Sequence, residues 1–160
     1  MGAGKSTVGR ALSRTLNLPF YDIDQEIEKR CGADIPRIFD VEGEEGFRQR
    51  ETALLETLAH RQNLVVATGG GIVQRAVNRE LMKASGVVVF LQASLATQIQ
   101  RTAKDKKRPL LMRSDRTEVL ADLYRRRKPL YQGLADLIVC ANYGSHRQVV
   151  RDILARLKSL

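Results

Sequence analysis

Met1-Gly2-Ala3-Gly4-Lys5-Ser6-Thr7 opens the chain, and its reading decides the fold. Gly4-Lys5-Ser6 is the core of a phosphate-binding loop. Glycines let backbone N–H groups close around phosphates, the lysine neutralises the outer phosphates, and the hydroxyl ligates Mg²⁺. Gly2 through Thr7 are therefore expected to bind a nucleotide. Val8, Ala11, Leu12 and Leu16 then recur at helical spacing, so a helix follows the loop and adds its N-terminal dipole to the site. The full pattern is G-x-x-x-x-G-K-[ST]. Its first glycine, and the strand that leads into the loop, would precede Met1.

Outward from the loop, helical patterns alternate with β-like runs at Leu18–Ile23, Leu64–Thr68, Gly86–Leu91 and Asp136–Ala141. Phe47, Leu54, Leu55 and Leu58 stripe one later helix; Val149, Val150, Ile153, Leu154 and Leu157 stripe the last. Such alternation predicts an α/β fold, a three-layer parallel sheet with helices on both faces. Val87–Leu91 and Leu137–Cys140 are apolar without alternation, as strands buried on both faces are. Pro19 places the first run at a sheet edge, where a missing N–H does no harm.

The length of 160 residues predicts a single domain over 1–160. With 43% hydrophobic and 28% charged residues, disordered and fibrous classes are excluded. No apolar run reaches the roughly 20 residues of a membrane span, and no secretory leader is evident. Cys31 and Cys140 lie far apart, and His60 and His146 are isolated, so neither a disulfide framework nor a zinc site is expected. A cytoplasmic monomer is the expectation. The net charge is +9, and residues 101–128 hold eleven Lys and Arg against four acids. Such a cluster attracts anions, but with only 5% aromatic residues and no Trp it lacks the stacking platforms of a nucleic-acid binder.

Several motifs carry chemistry. In Tyr21-Asp22-Ile23-Asp24, two carboxylates two residues apart in an extended chain face the same way, toward the crevice where α/β proteins bind ligands. One suits Mg²⁺ and the other suits a hydroxyl to be activated; the alternative is that Asp24 caps a helix starting near Gln25. Phe47-Arg48-x-x-Glu51 sets Arg and Glu one helical turn apart, either as a surface ion pair or as an arginine held toward a ligand carboxylate. Thr68-Gly69-Gly70-Gly71 follows a strand and suggests a backbone that a ligand approaches closely. Arg108-Pro109-Leu110-Leu111 lies in a basic segment, 104–114, expected to move as a lid. Arg101 is placed for the nucleotide. Arg127-Lys128-Pro129-Leu130-Tyr131 ends a helical stretch; several of Arg125, Arg126 and Lys128 are expected to be solvated, with at most one or two cations touching ligand.

These motifs, in this order and over essentially the whole chain, resemble the shikimate kinase family. The resemblance implies ATP-dependent phosphorylation of the 3-hydroxyl of shikimate, with Mg²⁺ and on a P-loop kinase fold. It implies that Lys5 binds the β- and γ-phosphates, Ser6 and Asp22 serve Mg²⁺, and Asp24 accepts the hydrogen bond of the attacking hydroxyl. Arg48 and Arg127 would hold the shikimate carboxylate, Gly70 would meet the ring hydroxyls through its backbone, Arg108 would close onto the phosphates, and Arg101 would lie against adenine. Lys5, Asp24 and Arg108 would thus be the catalytic groups. The family often has a proline across the adenine; Asn142–Gln148 has none. The expected partner is this small molecule, with no nucleic acid and no membrane.

In the family the first strand lies mid-sheet, in the order 2-3-1-4-5. A chain beginning at Met1 would leave strands 3 and 4 flanking a slot about 9–10 Å across at normal strand spacing. The expectation is that the natural product carries roughly ten more residues, and that the short chain is weakly stable and binds ATP poorly. The alternatives are a related kinase for another polyol acid such as gluconate, or an inactive truncated nucleotide- or nucleic-acid-binding protein.

Overall fold

Four short strands pair two by two in the computed structural model, which describes residues 2–103, 115–142 and 145–160. The expected lid at 104–114, with Arg108, lies outside the described residues. β1 (Phe20–Asp22) runs parallel to β2 (Val65–Ala67), with Phe20 opposite Val65. β3 (Val89–Gln92) runs parallel to β4 (Leu137–Cys140), with Val89 opposite Leu137. Among the described residues the two pairs share no ladder. The parallel sheet is thus broken between β2 and β3, at the position of the expected slot. An apolar cleft of about 270 Å³ lies along the break, with Val8, Val65, Ala67, Val89 and Leu91 in its walls.

Helices flank both pairs. α1 (Lys5–Leu16) starts at the loop and buries Val8 and Leu12, as its stripe predicts. Asn17, in the left-handed region at φ 54, ends it, and the Leu18 N–H donates to the Ser13 carbonyl at 2.9 Å. Pro19 sits at an edge as expected, and its carbonyl accepts from the Val65 N–H at 2.9 Å. α2 (Ile23–Cys31) and α3 (Ile35–Ala59) follow β1. α3 kinks at Gly43, whose φ of 70 and ψ of 179 are non-helical; glycine takes that backbone without a Cβ clash. A 3₁₀ turn, Ile72–Gln74, and α4 (Ala76–Ser85) follow β2. α5 (Leu95–Thr102), α6 (Arg116–Leu134) and α7 (His146–Leu157) complete the chain.

Two apolar clusters hold these elements. One packs Ile23, Ile27, Phe47, Leu54 and Ile72 beside β1 and β2; the other packs Val8, Leu91, Val139, Val150 and Ile153 beside β3 and β4. Ile153 is 1% exposed, and truncating such a residue to Ala costs about 2–5 kcal/mol. α1 packs on both α7 and β2, and α6 packs on both α5 and the 3₁₀ turn. Helices therefore carry the packing across the break.

Two local expectations are corrected. β4 is not buried on both faces: Leu137 and Val139 are buried while Ile138 and Cys140 face solvent. The 127–131 stretch does not end its helix, because α6 continues through Pro129 to Leu134. Among the described residues no helix is long and apolar enough to cross a membrane.

Candidate active site

Loop and aspartates converge at the N-terminus of α1. Gly4 is the residue that caps α1, at φ 84, a left-handed backbone that glycine adopts at little cost. The Ser6 hydroxyl donates to Asp22 Oδ2 at 2.5 Å. Asp22 Oδ1 accepts from the Gln25 N–H at 3.3 Å and so caps α2. The capping residue is therefore Asp22 and not Asp24. Nor do the two aspartates share a face of an extended chain, because β1 ends at Asp22 and Asp24 already lies in the first turn of α2. One turn of helix still brings Asp24 into the same cleft.

That cleft has a volume of about 440 Å³, and Gly2, Gly4, Lys5, Ser6, Thr7, Asp22, Asp24, Gly70 and Arg101 all line it. Arg101 donates to the Gly2 carbonyl at 3.2 Å. Ala3 is the exception within the loop. Its side chain packs into the apolar cluster beside β3 and β4, which leaves only its backbone to face a ligand.

Beyond Asp24 the residues of α3 and α6 build a second, drier compartment. Arg48 and Glu51 form an ion pair that is not on the surface: Arg48 is 8% exposed and Glu51 0%. Arg48 also donates to Glu44 at 2.9 Å. The glycine triplet makes room for these groups. A Cβ on Gly69 would overlap Glu51 Oε1 and come within 2.9 Å of Asp24 Oδ1, and one on Gly71 would overlap the Arg48 guanidinium. At these two positions the close approach expected of a ligand is made by the protein's own side chains. The Gly70 carbonyl accepts from the Tyr131 hydroxyl. Arg127, on α6, is 4% exposed.

Charge in this compartment is unevenly compensated. Burial opposes the Arg48 cation, but Glu51 and then Glu44 outweigh it, so its pKa rises. Burial pushes the Glu51 carboxyl up more than Arg48 pulls it down, and the nearby Asp24 charge adds to the rise. Arg127 is pushed down by burial first and by the like charge of Arg48, with Tyr131 opposing. Among the described residues Arg127 Nε and Glu51 Oε1 are buried without a hydrogen-bond partner. Two guanidinium groups that repel each other, one with an unused donor, are chemically suited to a planar anion.

Among the described residues no group of three or more His, Cys, Asp and Glu is placed to hold a metal. Ser6 and Asp22 offer two hard oxygen donors beside the phosphate loop. That set fits Mg²⁺, which takes one or two protein oxygens and completes its shell with phosphates and water.

Apart from the Ala3 side chain, which packs into the apolar cluster beside β3 and β4, the expected site residues that the structure describes fall in or beside these two compartments. Among the neighbouring cations, Arg125 and Arg126 are exposed, and Arg126 pairs with Asp122 at 2.9 Å. Sequence reasoning gave no role to Tyr131 or Glu44. Glu44 lies at the i−4 spacing to Arg48 that marks a helical ion pair, but no sequence signal links Tyr131 to Gly70. His146 also lines the nucleotide-side cleft.

Known proteins resemble this arrangement over nearly its full extent. The shikimate kinase family profile matches residues 1–158. The shikimate kinase of Pseudomonas paraeruginosa is 52% identical over 160 residues, covering 100% of this chain and 93% of that protein. That of Thioalkalivibrio sulfidiphilus is 54% identical over 153 residues, covering 96% of this chain and 80% of that one. Among solved structures, the shikimate kinase of Acinetobacter baumannii in complex with shikimate superposes with a TM-score of 0.97. It has 47% identity, over 99% of this chain and 89% of that one. The Aquifex aeolicus shikimate kinase gives a TM-score of 0.86 at 39% identity, over 99% and 92% respectively.

Proposed function

The chain belongs to the shikimate kinase family, and on that premise we propose how its residues phosphorylate the 3-hydroxyl of shikimate with ATP. One observation carries the reading. Asp24 lines the cleft of the phosphate loop; buried Arg127 of α6 lines an adjoining cavity that also reaches Lys5 and Gly70; and buried Arg48 of α3 pairs with Glu51, which meets Asp24 at the face of Gly69. A molecule with a carboxylate at one end and a hydroxyl at the other spans that arrangement. The acetate-like end meets the arginine forks, and the hydroxyl meets Asp24.

Phosphoryl transfer needs positioning and charge neutralisation more than covalent help. Lys5 and the backbone of Gly2 to Thr7 hold the phosphates. Ser6 and Asp22 hold Mg²⁺, which when bound neutralises charge on the phosphate oxygens. Asp24 accepts the hydrogen bond of the attacking hydroxyl and takes its proton. The hydroxyl oxygen bonds to the γ-phosphorus as the bond from that phosphorus to the β-bridging oxygen breaks, and ADP leaves. The Gly70 backbone meets the ring hydroxyls and Arg101 lies against the purine; Arg108, outside the described residues, is given a role at the transferring group by the family resemblance alone.

The test is a coupled ADP-release assay with ATP, Mg²⁺ and one acid at a time. Shikimate-dependent release is the expected result. Release with gluconate and not with shikimate would assign the site to another polyol acid. Nucleotide binding without release for any acid would make the chain a binding protein.

A further inference from the structure

We infer that Arg75 is a positioning residue for acid binding: from the start of α4 it staples the arm of α3 that carries Arg48. The inference rests on the acceptor site proposed above.

Arg48 stands on an arm of α3 that begins at the Gly43 kink. The helical backbone is interrupted there, so side chains must hold the first turn after it. Glu42 and Arg50 bridge the kink along α3 itself at 2.6 Å. Arg75 ties the arm to a different element, at two points. Its Nη2 pairs with Glu45 Oε1, and its Nη1 donates to the Thr52 hydroxyl at 3.4 Å. That hydroxyl in turn donates to the Arg48 carbonyl at 3.0 Å. A guanidinium only donates, a carbonyl only accepts and a hydroxyl does both, so the direction of this relay is fixed. Glu45 stands three residues before Arg48 and Thr52 four after it, which by helical spacing puts all three on one side of the helix. The two points of attachment therefore flank Arg48.

The other end of the staple is firm. Arg75 ends the 3₁₀ turn and caps α4. In that turn the Ile72 carbonyl accepts from the buried Asn78 amide at 3.0 Å, and the Val73 carbonyl accepts from Arg79 at 2.7 Å. The turn starts at Gly71, whose missing Cβ leaves the space that the Arg48 guanidinium fills. One short turn thus meets Arg48 twice: Gly71 admits its head, and Arg75 holds the backbone that carries it. Slippage of the arm would move the guanidinium against Gly71 or away from a bound carboxylate. Arginine suits the post because its fork reaches two acceptors at once.

The experiment compares wild type with Arg75→Ala, Glu45→Ala and the double variant. The two single changes alter the local charge in opposite senses. Charge alone would raise the KM for an acid in one and lower it in the other. A staple predicts a rise in the KM for shikimate in both, about threefold each, the scale of a partly exposed ion pair. The double variant should show no further rise. The kcat and the KM for ATP should match wild type. Arg75→Lys, which keeps the charge that pairs with Glu45, should recover most of the loss. A second readout needs no activity: amide hydrogen exchange over residues 44–52 should quicken several-fold in both single variants, while α7 exchanges as in wild type. KM shifts of opposite sign, a KM for shikimate equal to wild type, or unchanged exchange over 44–52 overturns the inference. Faster exchange there in a protein that turns over no shikimate would leave the staple standing and remove the proposed function instead.

Discussion

The guanidinium of Arg48 occupies the space where a side chain on Gly71 would begin. An arginine and a glycine from different elements thus share one volume, and the glycine's missing carbon is filled by the cation. The same holds one layer away, where Glu51 and Asp24 crowd the face of Gly69.

Gly71→Ala should therefore damage acid binding without touching the nucleotide. Its backbone, at φ −92 and ψ −11, suits any residue, so strain comes only from displacing Arg48. The KM for shikimate should rise on the order of tenfold, equivalent to about 1.4 kcal/mol, with the KM for ATP unchanged. Steady-state kinetics with each substrate varied in turn would check this, and an equal rise for both substrates would contradict it.

Asp24→Asn removes the proposed proton acceptor while keeping the shape of the first turn of α2. General-base loss typically costs about 10²–10⁴ in rate, so kcat should fall by at least about a hundredfold. Lys5→Met should abolish turnover by removing the phosphate's cation. Circular dichroism melts in parallel would show whether either protein remains folded, and near-normal rates in a folded variant would remove that residue's role.

Asp22 caps α2 and is proposed to serve Mg²⁺, and two substitutions can separate these roles. Asn keeps a capping oxygen for Gln25, removes the charge, and puts an amide N–H, which donates to the Ser6 hydroxyl, in the place of the accepting Oδ2. Asp22→Asn should raise the Mg²⁺ concentration for half-maximal activity about tenfold while stability changes by less than about 0.5 kcal/mol. Asp22→Ala should add a cap loss of about 0.5–2 kcal/mol. Metal titrations and urea unfolding would check both; equal Mg²⁺ requirements in wild type and Asn would refute the metal role.

Glu51 supplies a pH signature. Burial raises its pKa above the ordinary 4.5, with Arg48 opposing and Asp24 adding. The folded state thus holds the proton to higher pH than the unfolded state. By linkage, stability falls as pH rises from the unfolded value through the folded one. Glu51→Gln does not titrate there. Wild type should therefore lose stability relative to Glu51→Gln as pH is raised above 4.5, by urea unfolding from about pH 4 to about pH 8. A difference that grows in favour of wild type would refute the assignment.

Much of this was legible in the chain, and the rest had physical reasons to be hidden. The α1 and α7 stripes are present as read, because helical periodicity is set locally and Val8, Leu12, Val150 and Ile153 fill the core. Asp24 was placed in the right cleft by the wrong geometry, since period two fails where a strand turns into a helix at Ile23. The spacing of Arg48 and Glu51 gave the pair but not its burial, which depends on what packs over α3. A run of glycines says that something comes close; only the fold says that Gly69 and Gly71 admit side chains. Tyr131 stayed invisible because its bond to Gly70 joins residues 61 apart in sequence.

α1 packs on both α7 and β2, and α6 packs on both α5 and the 3₁₀ turn, so the element that carries Arg101 and those that carry Asp24 and Arg48 are joined through shared helices. Under the proposed function nucleotide and acid would each touch residues from both groups, and the second substrate would arrive at a frame the first had already stiffened.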